Sequence, residues 1–235
     1  MTSTRRLISL AVVTLVAAAA AVVALAHTGG AEATTTPAHH HALAAHDHGH
    51  GHAAISANEL ALRRTMDRLW EEHVAWTRLA IISLTTNAPD TQATVARLLQ
   101  NQTDIGNAVK PFYGGPAGTQ LTALLREHIL IAADLIDVAQ KGDSAGVAAQ
   151  QARWTKNADE IATFLSKANP DNWKLGEMKA MMREHLRLTT NEVVARLQAD
   201  WAADVKAYDR VEREILQMSE MLADGLVAQF PSRFA

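Results

Sequence analysis

Cysteine is absent from the 235 residues. That excludes a disulfide framework, a thiolate metal site and a cysteine nucleophile. Aromatic residues make up only 5%, with 12 Gly and 6 Pro, while Ala is abundant. A chain so poor in aromatics and helix breakers favours helices packed on helices over sheets. No excess of either charge is present: Lys+Arg is 22 and Asp+Glu is 25, a net charge of -3. The strongly basic balance of a usual nucleic-acid binder is therefore missing, and no nucleic-acid partner is expected. What is present in quantity is histidine, eleven in all, and its distribution is uneven.

The N-terminus reads as an export signal. Arg5 and Arg6 precede an almost continuously apolar run from Leu7 to Ala26, ending in Ala24-Leu25-Ala26, a small-x-small cleavage pattern. The run is also long enough to span a bilayer. Residues 1–26 are thus expected to be a cleaved signal peptide or a membrane anchor, with the rest of the chain secreted or held on the outer face of the cytoplasmic membrane. Membrane contact is expected only through that helix, if uncleaved.

Residues 27–54 hold eight of the eleven histidines among Ala, Gly and Thr, without helical periodicity. Such a segment cannot bury enough surface to fold and is expected to be a disordered linker. Alternation of His46, His48, His50 and His52 with Asp47 puts many imidazoles within reach of one ion, which suits Zn(II), Cu(II) or Ni(II). The plain alternative is a tether whose histidines are incidental.

The remaining histidines, His73, His128 and His185, each follow a Glu, and their spacings are 55 and 57 residues. This recurrence argues for internal repetition. Asn101-Gln102-Thr103-Asp104-Ile105 matches Asn157-Ala158-Asp159-Glu160-Ile161, and Asp209-Arg210-Val211-Glu212 reads as a looser third copy. From each His to this element the gaps are 28, 29 and 24 residues. Each unit is then a helix carrying His, a turn, and a return helix carrying polar groups. Ser56-Ala57-Asn58-Glu59 is a capping box that opens the first helix. Breaks fall at Pro89-Asp90, Lys141 to Ser144, Asn169-Pro170-Asp171 and, least distinctly, Leu197 to Ala202. Lys110 to Thr119, with Pro111, Gly114, Gly115 and Pro116, is expected to link the first two units. The expected fold class is all-α: a six-helix bundle over 55–235, built of hairpins at about 57–112, 113–168 and 169–230.

Helical spacing points all three histidines at least partly toward the core, with the preceding Glu at the flank. Buried polar groups need partners, and the polar groups of the return helix are the nearest. His73, His128 and His185, with Asp104, Glu160, Asp209 and Glu212, are the ligand types of helical-bundle metal proteins, so Zn, Cu or another divalent transition metal is the cofactor to look for. None of these three histidines has another His four residues on, where Thr77, Ala132 and Thr189 stand, and no Glu-x-x-His occurs. Met178, Met181 and Met182 lie with His185, and Met218 and Met221 on the last helix; thioethers with imidazole suit Cu(I), though such stripes also fill cores. Trp70, Trp76, Phe112 and Tyr113 could wall a ligand pocket or simply be core. No Gly-x-Ser-x-Gly and no P-loop occurs, and threefold repetition suits structure better than one asymmetric catalytic centre, so the reading leans away from an enzyme. The expected function is an exported protein that binds or buffers a transition metal through its tail and inward His/carboxylate groups. The alternative is a non-catalytic structural or ligand-binding domain in which His–carboxylate pairs are core hydrogen bonds.

Leu69-Trp70-Glu71-Glu72-His73-Val74-Ala75-Trp76-Thr77-Arg78, Arg97-Leu98-Leu99-Gln100-Asn101, Lys110-Pro111-Phe112-Tyr113-Gly114, Asn157-Ala158-Asp159-Glu160-Ile161-Ala162, Glu184-His185-Leu186 and Met221-Leu222-Ala223-Asp224-Gly225 carry a resemblance. Over about residues 60 to 231 the chain resembles an uncharacterised family of all-helical bacterial proteins from bacilli and actinobacteria, whose members are often labelled glycosyltransferase or acetylglutamate kinase. The resemblance implies a helical fold and brings no site residues. A kinase of that kind needs an α/β fold with a Gly-rich phosphate loop, which Gly114-Gly115 does not supply.

Overall fold

In the computed structural model, residues 55–235 are described. The expected signal or anchor at 1–26 and the linker at 27–54, with His46, His48, His50 and His52, lie outside them. The described residues are all-helical: α1 (Ala57–Thr86), α2 (Thr91–Gln140), α3 (Ser144–Ala168), α4 (Leu175–Leu197) and α5 (Trp201–Gln229), closed by a 3-10 turn, Pro231–Arg233.

Local chemistry sets the starts of these helices. The Ser56 side chain accepts from the Glu59 backbone N–H at 3.2 Å, half of the expected capping box, while the Glu59 carboxylate accepts from Arg63. Asp143 and Asp200 cap α3 and α5 in the same way, accepting from Gly146 and Ala203. The stops match the expected breaks at Pro89-Asp90, Lys141 to Ser144 and Asn169 to Asp171, and the indistinct one is a three-residue turn, Gln198–Asp200.

The expected linker at Lys110 to Thr119 is instead almost entirely helical. Only Gly114 departs, at φ 85° and ψ 169°, inside the 50-residue α2. A positive φ suits glycine, so one residue makes the corner that a loop was expected to make. Pro116 then falls in the first turn of the next stretch, where its missing N–H is of no consequence. Five helices therefore stand where six were expected. The two arms of α2 cross closely at Gly106: a Cβ there would lie 2.6 Å from the Gly118 carbonyl oxygen and collide with Thr122.

In the assembled bundle α1 packs against α2 and α5, α3 against α2 and α4, and α4 against α5. One apolar cluster runs through the middle, with Met66, Ile105, Leu121, Ile161, Met182 and Ile215 among its buried members. Polar side chains interrupt this cluster at two levels, and the histidines form the first.

Candidate functional site

His73 on α1, His128 on the second arm of α2 and His185 on α4 are all buried, at 4%, 4% and 5% exposure. The bundle brings them together. The His185 ring centroid lies 6.1 Å from that of His73 and 6.1 Å from that of His128. The preceding Glu72, Glu127 and Glu184 sit outside, Glu72 paired with Arg68 and Arg97 and Glu184 with Arg187.

Each Nδ1 is anchored by a residue 29 positions later. His73 Nδ1 lies 3.1 Å from Gln102 Nε2, His128 Nδ1 2.8 Å from Asn157 Oδ1, and His185 Nδ1 2.9 Å from Glu214 Oε2. The sequence pointed to Asn157; in the first copy it matched Asn101, which donates instead to Leu69 O at 2.9 Å while its neighbour Gln102 is the anchor, and it missed Glu214. The third copy was placed at Asp209 and Glu212, 24 residues from its His at the nearer end. In an antiparallel hairpin the residue level with a given position lies about as far beyond the turn as that position lies before it. Five residues short of that level is about 7.5 Å along a helix. Counting out from the Gln198–Asp200 turn would have found Glu214.

None of the four acids expected as ligands is a hydrogen-bond partner of an imidazole. Asp104 accepts from Gln100 Nε2 at 3.0 Å, while Glu160 is exposed and faces Lys156 at 3.5 Å. Asp209 is exposed and Glu212 only half-buried. A position adjacent to a core-facing one is rotated about 100° away, which carries these carboxylates to the flank.

The anchors dictate where the ring protons sit. Asn157 donates its own N–H to Leu124 O at 3.1 Å, so its oxygen faces His128 and accepts from Nδ1–H. His128 Nε2 is then a bare lone pair, buried and without a partner. His185 likewise donates Nδ1–H to the Glu214 carboxylate. His73 Nδ1 faces the Gln102 amide nitrogen, whose two hydrogens also meet Leu98 O and Asn101 Oδ1 at 3.0 Å each, while the Gln102 carbonyl oxygen is buried without a partner. The pKa values of His73 and His128 are driven down to about 3, first by burial and next by the neighbouring imidazoles. Both rings are neutral at physiological pH.

The three rings line one cavity of about 40 Å³, together with Met66, Trp70, Trp173, Met182, Met218 and several aliphatic side chains. That is room for one ion or a few waters, and far below the ~300 Å³ or more of an ordinary organic-ligand pocket. Among the described residues, no group of three or more His, Asp or Glu stands in position to hold a metal ion as the side chains are placed. The aromatics weighed as a pocket wall do not assemble. Trp70 stands edge-on to His73 at 5.6 Å, whereas Phe112 and Tyr113 join Phe230, and Trp76 lies under Arg97.

A second polar level was not foreseen. Arg78 bonds Glu192 at 2.7 Å and both oxygens of Asp204 at 2.8 and 3.0 Å, and Arg196 reaches Asp204 at 3.0 Å. Glu192 and Asp204 are each only 1% exposed. Burial pushes Glu192 up to about 7, although Arg78 pulls the other way. Burial would raise Asp204 too, but Arg78 and Arg196 together hold it below the usual carboxylate range. The available clue was Glu192 falling in the apolar register of Leu188, Thr189 and Ala195.

Comparison of the chain with protein-family models, with curated proteins and with solved structures gives no match. The functional reading therefore stands on the site's own chemistry. Among the described residues, no helix is long and apolar enough to cross a membrane.

Proposed function

We propose that this chain is an exported transition-metal-binding protein whose bundle holds one ion in the cavity beneath His73, His128 and His185. The observation that carries the reading is the buried, partnerless Nε2 of His128 beside that cavity. A buried nitrogen lone pair with no donor is costly unless something occupies it. Anchoring of the opposite ring nitrogen by an acceptor is the outer-shell arrangement that orients imidazole ligands, and His185–Glu214 adds a carboxylate in that role. His46, His48, His50 and His52 would capture metal outside the bundle. The uniform 29-residue offset supports the finer architecture, six helical arms in three hairpins over 57–112, 113–168 and 169–230.

Metal analysis of the full chain, with melts before and after chelation, tests this reading. Native protein should hold one equivalent beyond what a His128→Asn chain holds, and its melt should fall on chelation by an amount set by mass action. Equal metal content in both chains would overturn it. A second reading is favoured by the single well-made anchor on each ring: the imidazoles are core ties between helices. It predicts lost stability in His128→Asn without any response to chelator.

A further inference from the structure

The cavity beneath the imidazoles is lined by sulfur as well as nitrogen. Met66 on α1, Met182 on α4 and Met218 on α5 all face it, and each is at least 96% buried, with exposures of 4%, 4% and 3%. Three of the chain's seven methionines thus converge on one small space from three different helices. Of the methionines singled out in the sequence, Met178 is buried off the cavity, and Met181 and Met221 only flank the core. Met66 carries no local motif and emerges from the fold alone.

No carboxylate, amide or hydroxyl side chain lines the cavity. The absence of oxygen donors disfavours Mg²⁺ and Ca²⁺, which take oxygen ligands. Zn²⁺ takes four donors, usually with thiolate, imidazole or carboxylate among them. His128 and His185 meet an oxygen at Nδ1 and so present Nε2 lone pairs, whereas His73 meets an amide nitrogen there. The other soft donors lining the cavity are thioethers, which select cuprous copper. Charge gives an independent argument. A doubly charged ion in an apolar cavity with only neutral ligands bears a heavy desolvation cost. A monovalent ion bears far less, and the Glu214 carboxylate bonded to His185 supplies one balancing negative charge.

We propose that the ion held by the bundle is Cu(I), bound by the Nε2 atoms of His128 and His185 with thioethers from Met66, Met182 and Met218. This rests on the metal-binding reading above and names the ion. The test uses the full chain under reducing, anaerobic conditions, with competition against a chromophoric Cu(I) chelator and, separately, a Zn(II) chelator. Four proteins are compared: native, His128→Asn, the triple variant Met66→Leu/Met182→Leu/Met218→Leu, and the single Met182→Leu in case the triple variant folds poorly. The native chain should bind one Cu(I) more than His128→Asn. The triple variant should weaken that equivalent at least tenfold, and the single variant by a smaller factor, with Zn(II) binding unchanged. X-ray absorption should show sulfur scattering at the copper that disappears in the triple variant. Cu(I) binding unaffected by the methionine changes, or Zn(II) held more tightly than Cu(I), would overturn the assignment to copper while leaving a metal site. No equivalent lost in His128→Asn for either ion would overturn the metal site itself.

Discussion

Two polar levels cross the same apolar interior and solve burial in opposite ways. At the imidazole level His73 and His128 are neutral, each ring is anchored at Nδ1, and the His128 Nε2 is left over. At the Arg78 level arginines answer two buried acids: Arg78 and Arg196 surround Asp204, and Arg78 reaches one oxygen of Glu192, whose carboxyl burial raises to about 7. Arg78 lies five residues past His73 and Glu192 seven past His185, so the levels stand about 8–10 Å apart along the bundle. A second small cavity, lined from Thr77, Ala132 and Thr189 on to Ile81, Ala139 and Leu197, runs alongside the ionic level. The ionic level reads as an internal clamp close to the turn between α4 and α5, and the imidazole level as a place for something else. The ionic level leaves a donor over, the Arg196 Nε, whereas the imidazole level leaves an acceptor, the His128 lone pair, and only an acceptor can hold a cation.

The sharpest way to break this contrast is Arg78→Ala. It leaves Glu192 and Asp204 buried side by side with only Arg196 to answer them, and should cost about 3–5 kcal/mol in denaturant unfolding. A loss under about 1 kcal/mol would mean the ionic level is solvated and the contrast false. Acidification comes next. His73 and His128 sit near pKa 3 in the fold and near 6.5 unfolded, so the unfolded chain takes up more protons between these values. Stability is therefore full above about pH 6.5 and is lost as pH falls toward 3, by roughly 2 kcal/mol per ring at pH 5. Glu192, raised to about 7, has the opposite sign: its contribution is present below about pH 4.5 and lost as pH rises through 7. The two partly cancel between pH 5 and 7, so Glu192→Gln should steepen the acid loss, measured as unfolding free energy against pH. An unchanged slope would remove Glu192 from the balance.

His128→Leu should cost about 1–3 kcal/mol, because the Asn157 oxygen loses its donor, and His128→Leu/Asn157→Leu should recover part of that. No recovery in the double variant would mean the ring acts through packing alone. Glu160→Ala and Asp209→Ala, by contrast, should stay within about 0.5 kcal/mol of native in the same assay, as substitutions of exposed acids usually do. A larger loss at either would return those acids to the site.

Most of the architecture was legible because its signals are local. The capping box at Ser56, the breaks at Pro89 and Gly142, and the recurrence of Glu-His are all readable within a few residues. Gly114 was legible as a break but not as a single-residue corner, since composition alone does not distinguish a loop from two helices meeting at one positive φ. Within the site the histidines and one anchor, Asn157, were readable; Gln102 was missed by one residue, and Glu214 because Asp209 and Glu212 imitated the motif at the wrong height. Arg78, Glu192 and Asp204 lie on three helices, 114 and 126 residues apart along the chain for the two Arg78 pairs. No local pattern encodes a meeting of that kind. Met66 escaped for the same reason.

That the three imidazoles ride on three separately turning stretches of chain has a consequence for assembly. No two of those stretches enclose the cavity alone, so any occupant arrives at a finished molecule or one breathing open, never at a nascent segment. On the proposed reading, such a centre would register that the whole polypeptide has closed correctly, and a single misplaced helix would silence it.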